Sequence, residues 1–165
     1  PPHPLTMTPK HYSEHEALQK AAALCRASEH CVSEITAKLE RWGKSAEAQE
    51  RIIAQLVEQR FIDEERYARA YARDKRRYAH WGRVKIDYML RLQGIVDCHR
   101  SQALSELPDE EYCDVLRHLI EQKNRSVKAA SDYERRGKLI RFAQGRGFTL
   151  DEIMDVLSQL GHSDD

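Results

Sequence analysis

Three glycines, Gly43, Gly94 and Gly147, stand 51 and then 53 residues apart, and around them the chain aligns with itself. Eight residues before the glycines stand Ile35, Ile86 and Leu139, and four before stand Leu39, Leu90 and Ala143. Ten after come Ile53, Leu104 and Leu157, and thirteen after come Leu56, Leu107 and Leu160. Steps of three and four put residues on one helical face. Each repeat therefore reads as an apolar helix that stops at its glycine, followed by a second that starts a few residues later. Glycine suits the stop because it enters the left-handed conformation without a Cβ to clash.

Ser45, Asp97 and Thr149 follow as candidate N-caps, each with a short side-chain oxygen for the free amides of a first turn. Glu152, three beyond Thr149, makes a capping box possible. Upstream of each helix pair lies a third amphipathic run: Ser13–Ser28, Asp63–Tyr78 and Asp109–Asn124, the last with Pro108 where a missing amide hydrogen does no harm. The expectation is an all-α chain of nine helices in three tandem three-helix repeats. Repeat one covers 13–62, repeat two 63–107 and repeat three 108–161, with flexible ends at 1–12 and 162–165. Ser126–Ser131 reads as a small polar link inside the third repeat.

Composition agrees with helices: Gly and Pro together number only 12, and a third of the residues are charged. No apolar run reaches the roughly 18 residues a membrane span needs, and the first ten residues lack the apolar core of a signal peptide. A soluble, cytoplasmic protein is expected. Its four cysteines, Cys25, Cys31, Cys98 and Cys113, form no CxxC pair and read as buried reduced thiols. A helical turn could bring Cys25 near His30 or Cys31, but no second pair has metal-ligand spacing, so no metal is expected.

The formal charge is zero overall but unevenly spread: −1 over 1–59, +5 over 60–100 and −4 over 101–165. In the cationic middle, Arg66, Arg69, Arg73, Arg76 and His80 step by three or four and so share a face. Arg77, Arg83, Lys85 and Arg91 add to it. Guanidinium groups meet phosphate oxygens bidentately and release condensed counterions, so these eight cations are the candidate polyanion-binding residues. The plainer reading is a solvated face paired with Asp63, Glu64, Glu65, Asp74 and Asp87. Tyr67, Tyr71 and Tyr78 fit a core stripe better than a stacking platform, and Trp81 suits either a packed or an exposed turn. The run Asp109, Glu110, Glu111, Asp114 and Glu121 reads as favourable charge at a helix start, or else as a protein-binding face.

Reaction chemistry leaves no mark. There is no phosphate-binding glycine loop, no GxSxG elbow and no HExxH pair. His118, between Leu116, Leu119 and Ile120, reads as a core residue rather than a base. Gln144-Gly145-Arg146-Gly147 ends a helix instead of opening one, which makes a poor anion cradle. A binding protein without catalytic residues or cofactor is the expectation.

One stretch carries a resemblance. Arg60-Phe61-Ile62-Asp63-Glu64-Glu65-Arg66-Tyr67-Ala68, then Ala70-Tyr71 and Arg73, then Gly82-Arg83-Val84-Lys85-Ile86, Leu90 and Gly94-Ile95, resembles the signature of the RecX family, bacterial regulators of the RecA recombinase. Leu24, Ser33-Glu34-Ile35, Lys38-Leu39 and Gly43 extend it backward. Arg146-Gly147-Phe148, Ile153 and Leu157 extend it forward, so it spans about 14–160. The resemblance implies helix-turn-helix-like three-helix repeats bent into an extended, curved molecule. It also implies a monomer that docks on the RecA–DNA filament, binds single- and double-stranded DNA weakly to moderately alone, and inhibits RecA's recombinase and ATPase activities in repair, recombination and the SOS response. The competing reading is a helix-turn-helix transcriptional regulator. Its recognition helix would start near Asp97-Cys98-His99-Arg100, a sparse set of base readers.

Overall fold

The computed structural model describes residues 11–161, which form nine α-helices and, among the described residues, no strand. The expected flexible ends lie outside the described residues, His11 and Tyr12 apart. The helices are α1 (Glu14–Ala27), α2 (Val32–Arg41), α3 (Ala46–Glu58), α4 (Glu64–Arg77), α5 (Arg83–Leu92), α6 (Asp97–Ser105), α7 (Asp109–Ser126), α8 (Asp132–Gly145) and α9 (Leu150–Gly161). The polar link expected over Ser126–Ser131 is the connection between α7 and α8.

The three anchor glycines do what their spacing implies. Gly43, Gly94 and Gly147 have φ of 75°, 79° and 98°. Each sits at the same two-bond helix stop. Lys44, Ile95 and Phe148 donate their backbone N–H to the carbonyls of Leu39, Leu90 and Ala143, while the glycine N–H reaches back three residues. This explains a column of the repeat: the residue four before the glycine is the one whose carbonyl closes the stop, and all three are fully buried. At Gly94 a Cβ would meet nothing within 4 Å. Gly94→Ala therefore tests backbone strain alone, and urea unfolding should show a loss of about 1–2 kcal/mol.

Starts follow the expected chemistry at Ser45, whose side chain accepts from the Ala48 N–H, and at Thr149, where both bonds of the box with Glu152 form (2.8 and 3.2 Å). Asp97 is not the cap of α6. It is the first helical residue behind Val96, which makes no side-chain capping bond. Two further stops carry no glycine: Arg60 and His80 take φ of 61° and 56° after α3 and α4. His80 therefore lies beyond the helix and leaves the arginine register.

The apolar columns need one amendment. Ile53, Leu104 and Leu160 are only half-buried, while Ile52, Ala103 and Val156, one position off the expected column, are at most 3 % exposed. His118 is exposed and not in the core, because the buried side of α7 runs through Tyr112, Leu116, Leu119 and Ile120. The thiols split likewise. Cys31 is buried and Cys25 half-buried, whereas Cys98 and Cys113 are exposed. Burial pushes the Cys25 and Cys31 thiols up from their ordinary value.

The fold divides into two compact units, one ending at Tyr67 and the other beginning at Ala68. In the first, α1, α2 and α3 enclose Ala17, Ala21, Ile35, Leu39, Ile52, Leu56 and Ile62. In the second, α7, α8 and α9 enclose Tyr112, Leu116, Ile120, Leu139, Phe148 and Ile153, and α5 packs on α6. Backbone meets backbone where these two parts of the second unit join. Gly82 N–H donates to the Arg146 carbonyl (2.7 Å), and Val84 N–H to the Gly147 carbonyl (3.0 Å).

Candidate nucleic-acid and partner interface

Helix α4 opens with Glu64 and Glu65 and closes with Lys75, Arg76 and Arg77, an arrangement that opposes its backbone dipole at both ends. Its arginines do not form one free face. Arg66 reaches Glu29 at 2.5 Å, with Asp63 3.8 Å away. Arg69 pairs with Glu106 at 3.0 Å. The Glu106 carboxyl is held below the usual carboxylate range, first by a hydrogen bond from Gln102 and then by Arg69 and Arg73. Arg76 is 2 % exposed; its guanidinium meets Glu111 at 2.8 Å and points at the Pro108 carbonyl (3.5 Å). Arg69 and Arg76 therefore tie α4 to the ends of α6 and α7.

What stays in solvent is narrower. Arg73 and Arg77 are exposed one turn apart, with no carboxylate in ion-pair distance among the described residues. Tyr78, next in the chain, is 74 % exposed, whereas Tyr67 belongs to the core and Tyr71 is half-buried beneath Lys75. Trp81 is half-buried in the following turn, with the ammonium groups of Lys75 and Lys85 at 4.9 and 4.6 Å from its ring.

Arg83 has a different task. Its backbone N–H donates to the Tyr112 hydroxyl (2.9 Å) and its guanidinium lies 3.9 Å from the centre of that ring. The same guanidinium pairs with Asp109 (2.8 Å) and lies 3.8 Å from Glu152. Burial pushes the Tyr112 phenol well above its ordinary range, so it stays protonated at the junction. Arg91 is exposed, with a long contact to Asp87 (3.4 Å). Arg100, the one arginine of the supposed recognition helix, is 8 % exposed and held by Asp87, Asp97 and the Ile95 carbonyl. It is unavailable to read a base.

Of the eight candidate cations, the structure thus leaves Arg73, Arg77 and Arg91 exposed and Lys85 half-buried, and commits Arg66, Arg69, Arg76 and Arg83 to carboxylates. The acidic run that sequence reads as a separate face supplies two of those partners, Asp109 and Glu111. Among the described residues no group of three His, Cys, Asp or Glu side chains gathers as a metal site, and no helix is long and apolar enough to cross a membrane.

This arrangement has relatives. Residues 63–104 match the family model of the RecX second three-helix domain, and residues 109–157 that of the third. The chain is 30% identical to regulatory protein RecX of Pelodictyon phaeoclathratiforme, with 87% of this chain and 88% of that protein aligned. It is also 30% identical to the RecX of Prosthecochloris aestuarii, over 88% and 93% of the two chains. The chain belongs to the RecX family. Some RecX proteins are longer: it spans about half (51%) of the one from Leuconostoc mesenteroides, at 27% identity. The crystal structure of RecX from Lactobacillus salivarius superposes with a TM-score of 0.79 over 90% of this chain and 96% of that one, at 20% identity. A second RecX crystal structure gives 0.77 over 86% and 73%, at 22% identity. The family is one of regulatory proteins, and the tandem three-helix architecture is shared with both crystal structures.

Proposed function

We propose that this RecX-family chain binds the RecA–DNA filament and lowers RecA's recombinase and ATPase activities, acting by docking and not by turnover. The observation that carries the DNA side of this reading is the pair Arg73 and Arg77, exposed one turn apart next to the exposed Tyr78 and held in no ion pair among the described residues. Two guanidinium groups at that spacing suit consecutive phosphates. A surface so small gives modest affinity for free DNA, single- or double-stranded. Filament contacts through Lys85 and Arg91 add to it by multivalency. The chain acts as a monomer in the cytoplasm, where RecA works.

The test uses the double variant Arg73→Ala, Arg77→Ala. Each lost phosphate contact should reduce the slope of log affinity against log salt by about one unit, so the pair should reduce it by about two. Inhibition of RecA's DNA-dependent ATPase should weaken in parallel at low salt and converge with the unaltered chain at high salt. An unchanged salt slope would remove these two arginines from the interface. No effect of the unaltered chain on RecA would remove the reading itself.

A further inference from the structure

Among the described residues, eight large apolar side chains are exposed, and three of them fall in one register. Val84, Tyr88 and Leu92 lie on α5 at steps of four, 55, 56 and 63 % exposed, and Val96, at the cap of α6, is 54 % exposed. On a helix, residues four apart are neighbours, so the three on α5 make one stripe.

The repeat supplies its own control. Ten, six and two residues before Gly43 stand Ser33, Ala37 and Arg41, and before Gly147 stand Gly137, Arg141 and Gly145. The fold thus needs no large apolar residue on this side of the second helix. Only the middle repeat has one, three times over. An exposed apolar stripe that packing does not require marks an interaction surface.

The charges around it select the occupant. At about 100° per residue, Arg91 lies just outside one edge of the stripe and Lys85 just outside the other. Asp87, beyond Arg91, is already engaged by Arg91 and Arg100 (3.4 and 2.9 Å). Counting Lys85, Arg91 and Arg100 against Asp87 and Asp97, the rim is net cationic by one charge. Antiparallel pairing with a second copy, centred on Tyr88, would set Arg91 against Lys85, and parallel pairing would set each against itself. Phosphates would meet the rim but gain nothing from Val84 and Leu92. A polypeptide helix with an apolar face and an acidic rim satisfies both features.

We infer that the α5 stripe seats an acid-rimmed apolar helix of the RecA protomer, while Arg73 and Arg77 face the DNA. This rests on the filament reading above and divides it between two surfaces. The test compares Val84→Ser/Tyr88→Ser/Leu92→Ser with the unaltered chain on RecA filaments assembled on single-stranded DNA, and on the same DNA without RecA. All three side chains are exposed and the other repeats carry small or polar residues there, so the fold should persist, which helical circular dichroism checks. Filament affinity should fall at least tenfold, with DNA affinity and the salt slope unchanged. Lys85→Gln with Arg91→Gln should likewise weaken filament binding, and by a larger factor than it weakens binding to the same DNA without RecA. Equal filament binding by the triple variant overturns the inference, as does a dimer of the unaltered chain that the triple variant dissolves. A triple variant that loses DNA affinity in proportion also overturns it. Failure of the unaltered chain to bind filaments is a separate result, and it removes the filament reading.

Discussion

Gly82→Ala should destabilise the second unit by about 3 kcal/mol, a loss that a rearrangement of side chains cannot relieve because the obstacle is backbone. A Cβ on Gly82 would lie 2.3 Å from the Gly147 carbonyl oxygen and 2.4 Å from its carbon. The φ of Gly82 is −80°, ordinary for any residue, so the substitution carries no torsional penalty of its own. The reciprocal change adds one: a Cβ on Gly147 would stand 2.4 Å from the Lys85 Cβ, and its φ of 98° is hostile to a side chain. Gly147→Ala should therefore exceed Gly82→Ala by about 1–2 kcal/mol. Gly145, where a Cβ meets nothing within 4 Å, is the control and should change stability by less than about 1 kcal/mol. Trp81, adjacent to Gly82, reports the junction in a Trp42→Phe background. Its fluorescence transition should shift to lower urea in the order Gly145→Ala, Gly82→Ala, Gly147→Ala. Similar midpoints for all three would show that the close approach of the two backbones does not matter.

The contrast between these glycines shows what the chain's own pattern reveals. Gly43, Gly94 and Gly147 announce themselves by period, and with them come the nine helices of the described residues, the caps at Ser45 and Thr149, and the buried column of Leu39, Leu90 and Ala143, whose carbonyls accept the closing bonds. Gly82 belongs to no column. Its reason is a contact with residue 147, and only folding brings those two segments together. The same limit governs Arg60 and His80, which take left-handed conformations that glycine would ordinarily mark.

Charge is where sequence and structure part most. Linear composition separates a cationic middle from an acidic end and suggests two surfaces for two partners. In three dimensions those segments face each other: Arg69 with Glu106, Arg76 with Glu111, Arg83 with Asp109. Periodicity places arginines on a side of α4 but does not say whether that side meets solvent or a neighbouring helix end. Arg73 and Arg77 remain of the expected face because both stay exposed and neither is drawn into an ion pair among the described residues, although Arg73 feels the charge of Glu106. The α5 stripe went unread for the opposite reason. Val84, Tyr88 and Leu92 are apolar at helical spacing, and such a pattern ordinarily means core.

Arg76 offers the sharpest test of that pairing, through an asymmetry between its two partners. Glu111→Ala should cost about 3 kcal/mol, whereas Arg76→Met should cost about 1 kcal/mol or less. Removing Glu111 strands a guanidinium whose side chain is 3 % exposed, left with one long contact to the Pro108 carbonyl and an Nε that already lacks a partner. Removing the arginine instead frees a carboxylate that is 48 % exposed and can hydrate where it stands, while methionine fills much of the vacated space. The double variant Arg76→Met/Glu111→Ala should recover most of the stability lost in Glu111→Ala, since the stranded charge has gone with it. Urea unfolding of the four proteins measures the cycle. Were Arg76 a DNA-facing cation only incidentally near Glu111, the glutamate variant would be nearly neutral for stability and Arg76→Met would instead reduce the salt slope of DNA binding. The buried geometry predicts the reverse: a large stability change from the glutamate, and a salt slope that Arg76→Met leaves unchanged.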